Sequence, residues 1–331
     1  MRVRLQQTTE TRVADETYHF RWKYRAQLAK RITPMLMASS QVVAAPILRR
    51  AWLLMKFITS RDNAFFKQLI KLAGSAQERK GAGLTLLDGV HLIDTYHHVI
   101  GLPHYLIVSK SYLENQEVKH LLAEQGGEKG EKVVVLPDSL FREVSPVKTP
   151  TGIIALVPIS LPASLSAAMP ARKGQSGDSF CVLLEAIQDP GNLGSILRSA
   201  AAAGASDAYL SDGCADAWSP KTLRAAMGAH FLLRIHEQSD LLGVARTFLG
   251  KVIATSLKAR TSLYQTRLTG PVAFVFGNEG AGLSDAILQA SSEQICIPMS
   301  GDMESLNAAA AAAVCFFERV RQVKDDLDWT V

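Results

Sequence analysis

The spacing of hydrophobic residues divides most of the chain into alternating strands and helices. In residues 55–158, short apolar and β-branched runs alternate with segments whose apolar residues recur every three or four positions. These patterns predict strands at 84–87, 105–108, 133–136 and 152–157, and helices at 62–73, 90–98, 115–124 and 138–141. The first half of the chain is therefore predicted to form a small α/β domain.

Residues 179–325 show the same alternation more regularly. Strands are predicted at 180–184, 208–210, 231–235, 251–256, 272–276 and 294–297, and helices at 193–203, 223–227, 241–249, 284–290 and 306–323. Strands that alternate with helices in this way indicate a second α/β domain with a mostly parallel sheet.

Three segments lack such a pattern. Residues 159–178 are rich in Pro, Gly, Ser and Ala and contain no aromatic residue, which is typical of a linker. Residues 326–331 form a short tail. Residues 1–54 form a basic extension, which we expect to be disordered or loosely helical.

The basic extension carries most of the positive charge. Residues 1–56 contain eleven Lys and Arg against three Asp and Glu, whereas the whole chain has a net charge of only +5. Three interpretations remain open: an RNA-contacting arm, an organelle-targeting peptide, or translated upstream sequence before a true start at Met55. We favour the third, because Met55 directly precedes the first predicted domain.

The composition is typical of a soluble globular protein, with 47% hydrophobic and 20% charged residues. The apolar run at 308–317 is about half the ~20 residues of a membrane-spanning helix, so we expect no membrane segment. The four cysteines have no metal-ligand spacing and are predicted to be unpaired thiols, which favours a cytoplasmic location. No metal site is expected.

Three segments carry the candidate chemistry: residues 189–198, 276–283 and 297–307. Each follows a predicted strand and leads into a predicted helix, and each is rich in Gly, Asn or Ser. Loops of this kind lie at the carboxyl ends of the strands, where open α/β sheets bind ligands. The three segments together therefore predict one binding crevice.

These loops do not match the common nucleotide-binding signatures. The glycines of residues 277–282 have the order G-x-x-G-x-G, whereas the dinucleotide fingerprint is G-x-G-x-x-G directly after the first strand. The phosphate-binding P-loop signature is also absent from the sequence. A standard dinucleotide or ATP site is therefore not expected.

The three segments instead resemble the signature motifs of the SpoU (TrmH-like) RNA ribose 2′-O-methyltransferases, which belong to the SPOUT superfamily. The resemblance covers about residues 57–325. It implies an N-terminal α/β substrate-binding domain, although Asp88-Gly89 stands where the family usually has Glu-Gly. It also implies that the mostly parallel C-terminal sheet has helices on both faces and contains a trefoil knot.

The resemblance implies that the knot loops bind S-adenosylmethionine. The matching cofactor positions are Gly277, Ile297 and Leu306, with support from Thr255, Ser256, Asn278 and Gly280. Glycines would let backbone groups approach the adenine and ribose, and the two apolar side chains would form walls for the ring.

The resemblance also assigns catalytic positions. They are Asn192, Arg198, Glu279, Ser305 and Asn307. The reaction would be in-line attack of a ribose 2′-hydroxyl on the sulfonium methyl group, for which alignment and proton removal are the main requirements. A guanidinium stays charged, so we expect Arg198 to clamp a substrate phosphate rather than to act as a base.

Each catalytic position also has a purely structural interpretation. Asn192 and Asn307 would each cap a helix, Arg198 would be a surface residue, and Glu279 a turn residue. The functional interpretation is favoured because these four polar residues match family positions on separate loops that meet at one sheet edge. For Ser305 and Thr255 both interpretations remain open.

The expected partners are structured rRNA or tRNA and a second copy of the chain, because the family is homodimeric. The candidate RNA contacts in the first domain are Arg61, Lys67, Lys71, Arg79 and Lys80. Two alternative functions remain open, a base N-methyltransferase on the same fold and a non-catalytic RNA-binding protein.

Overall fold

The computed structural model contains two β-sheets, one in each half of the chain. The structure describes residues 55–125, 132–147, 149–159, 180–301 and 304–324. The predicted extension and tail lie outside the described residues, as does the predicted linker apart from Ile159.

Within the described part of the chain, the first sheet has five strands in the order β1-β4-β3-β5-β2. The strands are β1 (Lys56–Phe57), β2 (Leu84–Asp88), β3 (Tyr105–Ser109), β4 (Lys132–Leu136) and β5 (Ile153–Pro158). β5 is antiparallel to its neighbours β2 and β3, whereas β1, β4 and β3 are parallel. The helices are α1 (Ala64–Gly74), α2 (Ala76–Ala82), α3 (Val90–Val99), α4 (Gln116–Gln125) and α5 (Asp138–Val144).

Helices cover both faces of the first sheet, because successive strand residues point to opposite sides. In β3, Ile107 is buried with Leu69 of α1 and Phe141 of α5. The next residue, Val108, is buried on the other face with Ile93 of α3. The continuous apolar strands predicted from the sequence are thus explained by burial on both sides.

Among the described residues, the second sheet has seven strands in the order β10-β12-β9-β11-β6-β7-β8, and all neighbours are parallel. The strands are β6 (Phe180–Leu184), β7 (Asp207–Leu210), β8 (Arg234–His236), β9 (Lys251–Thr255), β10 (Thr261–Ser262), β11 (Val272–Phe276) and β12 (Glu293–Cys296). The helices are α6 (Pro190–Ala202), α7 (Pro220–Ala226), α8 (Leu241–Thr247), α9 (Asp285–Ala290) and α10 (Ala308–Lys324).

The second sheet is also covered on both faces. Phe274 of β11 is buried with Ile196 of α6 and Phe316 of α10. The neighbouring Val275 is buried with Ile287 of α9 on the opposite side. The predicted α/β fold with a mostly parallel sheet is therefore confirmed.

Four short elements differ from the sequence prediction. Helix α2 was not predicted, because its seven residues have no clear apolar period; Ser75 caps it by accepting a bond from the Glu78 N–H at 3.3 Å. The predicted strand at 231–235 begins as a 3₁₀ turn, Ala229–Phe231, before β8. Strands β1 and β10 have only two residues each, too few for a sequence pattern.

The edge strand β2 of the first sheet contacts the second half of the chain. The Thr85 hydroxyl donates to the Trp218 carbonyl at 2.7 Å, and Asp88 pairs with Arg224 of α7 at 2.6 Å. Phe231 is buried in the same apolar cluster as α3. The junction therefore combines burial with specific polar contacts.

No disulfide is present among the described residues, which include all four cysteines. Burial raises the pKa of the Cys315 thiol to about 12, so this group is protonated at neutral pH. No described helix is both long enough and apolar enough to cross a membrane.

Candidate active site

Helix α6 begins within the first motif and is capped by Asp189. Its Oδ1 accepts a hydrogen bond from the Asn192 backbone N–H at 2.7 Å, and Pro190 occupies the first turn, where no N–H is needed. The alternative interpretation of Asn192 as the cap is therefore wrong. Because Asp189 has that role, the Asn192 side chain is available for other segments.

The side-chain amide of Asn192 joins the three motifs. Its Nδ2 donates to Glu279 Oε1 at 3.0 Å, and its Oδ1 accepts from Asn307 Nδ2 at 2.9 Å. Asn307 also caps α10, because its Oδ1 accepts from the N–H groups of Ala309 and Ala310. One hydrogen-bonded chain thus connects loops that the sequence predicted to meet.

Glu279 holds two loops together through its carboxylate. Its Oε2 accepts from the Gln188 N–H and its Oε1 from the Asp189 N–H, both at 3.2 Å, in addition to the Asn192 amide. Partial burial raises the pKa of Glu279, but the hydrogen bond from Asn192 and the backbone donors outweigh burial and leave this pKa below its ordinary value. Glu279 is therefore ionised at neutral pH.

Asn278 shapes its own loop. Its Oδ1 accepts from the N–H groups of Gly280 and Ala281, both at 2.9 Å, and its Nδ2 donates to the Ala186 carbonyl at 2.8 Å. Backbone bonds with Gly282 close the loop. The side chain of this predicted cofactor-binding residue is thus occupied by structural hydrogen bonds, whereas Gly280 is exposed at the loop tip.

Gly277 lies where the two ends of the same loop meet. A Cβ at this position would overlap the backbone of Gly282 and lie 2.5 Å from the nitrogen of Leu283. The residue must therefore be glycine for the loop to close, whatever ligand the loop binds. This structural requirement was not part of the sequence prediction.

Sequence reasoning missed Glu185, which follows β6. Its Oε2 accepts from the Ser284 N–H at 2.8 Å and its Oε1 from the Ser284 hydroxyl at 2.7 Å. Ser284 caps α9, so Glu185 fixes the far end of the second motif. A carboxylate directly after five buried apolar residues was the signal that could have identified it.

The side chains of the third motif differ in how far they are exposed to solvent. Ile297 is half-buried against the core of the second sheet, whereas 41% of Leu306 is exposed. Ser305 is exposed next to Asn307. The two apolar residues are accessible enough to contact a ligand.

The end of β9 carries the two remaining cofactor candidates. The Thr255 hydroxyl donates to the Val275 carbonyl at 3.0 Å, and Ser256 Oγ accepts from the Lys258 N–H at 3.2 Å. Both hydroxyls stabilise local backbone, and both residues are only half-buried. A structural role is thus established for each.

Arg198 is exposed on α6, six residues after Asn192. Within the described residues, its guanidinium has neither a hydrogen bond nor an ion pair. An arginine without an internal partner is suited to binding a phosphate or another anion.

The sequence of the chain matches one family of known proteins. The model of the SpoU rRNA Methylase family matches residues 179–317. The 23S rRNA (guanosine(2553)-2′-O)-methyltransferase of Bacillus subtilis (strain 168) is 31% identical over 265 residues, which cover 80% of this chain and 98% of that protein. The chain belongs to the SpoU rRNA methylase family.

Similarity to the family extends beyond the region that the family model matches. The 23S rRNA (uridine(2479)-2′-O)-methyltransferase of Streptomyces viridochromogenes is 31% identical over 296 residues, covering 86% of this chain and 96% of that protein. A crystal structure of the SpoU methyltransferase AviRb from the same organism, in complex with AdoMet, matches with a TM-score of 0.64 and 28% identity. That match covers 78% of this chain and 98% of that structure, so both sheets contribute to it.

The cationic residues predicted to contact RNA are mostly exposed in this SpoU family member. Arg61 pairs with Glu143 at 2.6 Å, Lys67 with Asp62 at 3.0 Å, and Lys71 with Glu78 at 3.3 Å. Lys80 is exposed. Surface pairs of this kind exchange easily with water and other ions.

Arg79 does not fit the predicted RNA contact. It is buried, its Nη1 donates to the Leu72 carbonyl at 2.6 Å, and its Nε donates to Asp216 Oδ2 at 2.9 Å. The charge of Arg79 is thus satisfied between α1 and the second half of the chain. Its role is to join the two sheets.

The described residues contain no cluster of three or more His, Cys, Asp or Glu that could hold a metal ion.

Proposed function

We infer that this SpoU family protein transfers a methyl group from S-adenosylmethionine to the ribose 2′-hydroxyl of a nucleotide in structured rRNA or tRNA. The observation that carries this inference is the hydrogen-bonded chain from Glu279 through Asn192 to Asn307. It brings polar residues from all three motifs to one place. Two relatives that match this chain over nearly their full length are named as rRNA 2′-O-methyltransferases.

The proposed cofactor site lies at the second and third motifs. Leu306 and Ile297 offer an apolar surface for the adenine ring, and the exposed Gly280 leaves backbone groups accessible at the loop tip. The loop that includes Gly277 is held from three sides by Glu185, Asn278 and Glu279, so its backbone groups are positioned before a ligand binds. These observations support the fit of S-adenosylmethionine.

S-adenosylmethionine, when bound, supplies a methyl group that is already electrophilic. The residues of the chain must therefore orient the ribose hydroxyl and stabilise its developing negative charge. Arg198 has no described internal partner and is suited to hold the phosphate beside that ribose. Glu279 has its acceptor positions filled and a lowered pKa, so it orients Asn192 rather than removing the proton.

The trefoil knot belongs to this proposal. One feature supports it: Asn307 follows β12, near one edge of the sheet, yet contacts Asn192, which follows the inner strand β6. This contact fits a C-terminal segment that passes through a preceding loop.

A homodimer is likewise proposed. Two large apolar side chains next to or within α10, Leu306 and Phe317, are 41% and 50% exposed. Apolar side chains of this size favour contact with another protein surface. A second copy covering them would lie beside the proposed cofactor site.

Methyl transfer to RNA from a strain that lacks the gene tests the function. Purified protein, labelled S-adenosylmethionine, and either 23S rRNA or tRNA are combined, and the product is digested and analysed by mass spectrometry. We expect a methyl group on ribose. A methyl group on a base would establish the alternative enzyme, and no S-adenosylmethionine binding in calorimetry would favour the non-catalytic RNA-binding protein.

Arg198→Ala tests the role of its guanidinium. We expect turnover to fall at least about 100-fold while S-adenosylmethionine affinity is retained, because the clamp acts on the RNA. Arg246→Ala is the matched control, since Arg246 is an exposed arginine on α8. Near-normal turnover in Arg198→Ala would refute the proposed role.

A further inference from the structure

A cleft of about 240 Å³, with both polar and apolar side chains in its walls, lies at the end of the first sheet where β3 and β4 stop. It is separate from the three motifs of the second sheet. The residues that matter here are Ser111, Tyr112, Asp138, Arg142, Thr149 and Pro150. The cleft is open to solvent and is smaller than typical sites for drug-sized molecules, which are about 300–1,000 Å³.

The walls of this cleft are fixed by internal contacts. Asp138 Oδ1 accepts from the Ser109 hydroxyl at 2.6 Å and from the Ser111 N–H at 3.0 Å. The pKa of Asp138 lies below its ordinary value, mainly because of the hydrogen bond from Ser109. This carboxylate is therefore ionised. The ring of Tyr112 lies directly over Gly152, where a Cβ would overlap it.

The cations at the cleft differ from those on α1. Arg142 is exposed, and its Nε donates to the Asp138 carbonyl at 3.2 Å. Its charge also contributes to the lowered pKa of the Asp138 carboxyl, but within the described residues no salt bridge joins the two side chains. Lys110, beside the cleft, is also exposed and has no ion pair in the described part of the chain. By contrast, Lys67 and Lys71 each pair with an acidic neighbour. Arg142 is thus better placed than Lys67 or Lys71 to bind a phosphate.

We propose that this cleft binds one unpaired nucleotide of the RNA substrate. The base lies against Tyr112 and Pro150, its polar edge faces the hydroxyls and Asp138, and its phosphate is held by Arg142. Proteins recognise RNA sequence mainly at unpaired nucleotides, whose bases stack on aromatic rings and expose hydrogen-bonding edges. A carboxylate acceptor favours a base that carries an amino group.

The position of the cleft supports this assignment, which rests on the proposed function. Thr151, next to Pro150, donates to Asp88 Oδ1 at 2.7 Å, and Asp88 pairs with Arg224 of α7. α7 packs tightly on α6, since a Cβ on Gly194 would lie 2.5 Å from the Ala225 Cβ. The cleft therefore has a fixed position relative to the helix that carries Asn192 and Arg198. A nucleotide held there would place the target ribose at a constant distance.

Binding of 23S rRNA, and separately of tRNA, from the gene-deletion strain tests the cleft. For whichever of these RNAs is the methylation substrate, we expect Arg142→Ala to weaken binding about tenfold, and to reduce the slope of log affinity against log salt by about 1. S-adenosylmethionine affinity should not change. Arg246→Ala on α8 is the matched control, and equal RNA affinity of the two variants would overturn the proposal.

Ultraviolet crosslinking of the wild-type protein to the same RNA gives a second, independent result. We expect crosslinked nucleotides on the peptide that contains Tyr112. Crosslinks confined to other segments, such as α1 with Lys67 and Lys71, would contradict the proposal. Failure of the proposed function would differ from both results, because the wild-type protein would then transfer no methyl group to ribose.

Discussion

Glu279 Oε1 lies 3.0 Å from Asn192 Nδ2, and the same carboxylate accepts two backbone N–H groups from the first motif. All these neighbours are donors. An ionised carboxylate, which only accepts hydrogen bonds, is therefore the one group that satisfies them all. The orientation of Asn192, and through it of Asn307, depends on this charge.

Glu279→Gln should lower kcat about 100-fold, because a glutamine amide places a donor against donors and lets Asn192 turn away from its productive orientation. The KM for RNA should change little, since the RNA contacts remain. Steady-state rates with labelled S-adenosylmethionine measure both quantities. Glu293→Gln on β12, which removes a carboxylate paired with Lys251, is the control. Equal rates for the two variants would contradict this role.

Gly277→Ala should abolish S-adenosylmethionine binding and destabilise the protein by about 1–3 kcal/mol. Its Cβ would overlap the backbone of Gly282, which cannot move without opening the loop. Gly280→Ala in the same loop should be tolerated, because its nearest neighbour is Asn278 Oδ1 at 3.6 Å. Calorimetry and thermal unfolding of both variants test the contrast. Similar behaviour of both would show that the close approach is unimportant.

Arg79→Ala should destabilise the protein by about 3–5 kcal/mol, because it leaves the largely buried Asp216 without its cation. At temperatures where the variant is folded, its RNA affinity should match that of the wild type. Urea unfolding and RNA binding distinguish the two effects. Lys80→Ala, one position away and exposed, should change stability little. Weaker RNA binding without loss of stability would restore the original prediction for Arg79.

His230 should make stability depend on pH. Burial lowers the pKa of this histidine from 6.5 to about 4, while its Nε2 lies 2.6 Å from the Ala217 carbonyl. As pH falls below 6.5, His230 binds a proton in the unfolded state but stays neutral in the folded state. The free energy of unfolding therefore decreases until about pH 4, where the folded state is protonated too. Between pH 7 and pH 5 the loss should be about 2 kcal/mol.

Urea unfolding at the two pH values measures this effect. His230→Gln keeps an N–H donor for the Ala217 carbonyl and should remove most of the pH dependence. An unchanged pH dependence in His230→Gln would assign the effect to other groups.

Much of the fold follows from local sequence patterns. The buried strands β6 and β11 are continuous apolar runs, and the capping residues Asp189 and Ser284 precede their helices. Strand ends in a parallel sheet meet at one edge, so the proximity of the three motifs could also be predicted. The meeting of Asn192 and Asn307 at hydrogen-bond distance confirms it.

What the sequence could not supply depends on contacts between distant segments. The burial of Arg79 results from Asp216, 137 positions away, and nothing local distinguishes Arg79 from the exposed Lys80. The requirement for glycine at 277 likewise arises from the return of the chain at Gly282. The cleft at Tyr112 and Arg142 requires three separate loops to be placed in space.

The covered edge of β2 has a consequence for the solution behaviour of the protein. β2 pairs with β5 on one side. Residues of the second half of the chain, including Trp218 and α7, contact β2 as well. An uncovered sheet edge is a template for intermolecular strand pairing. The first half expressed alone would expose this edge and leave the Asp88 carboxylate without Arg224. Union of the two halves in one chain therefore protects the first sheet from aggregation.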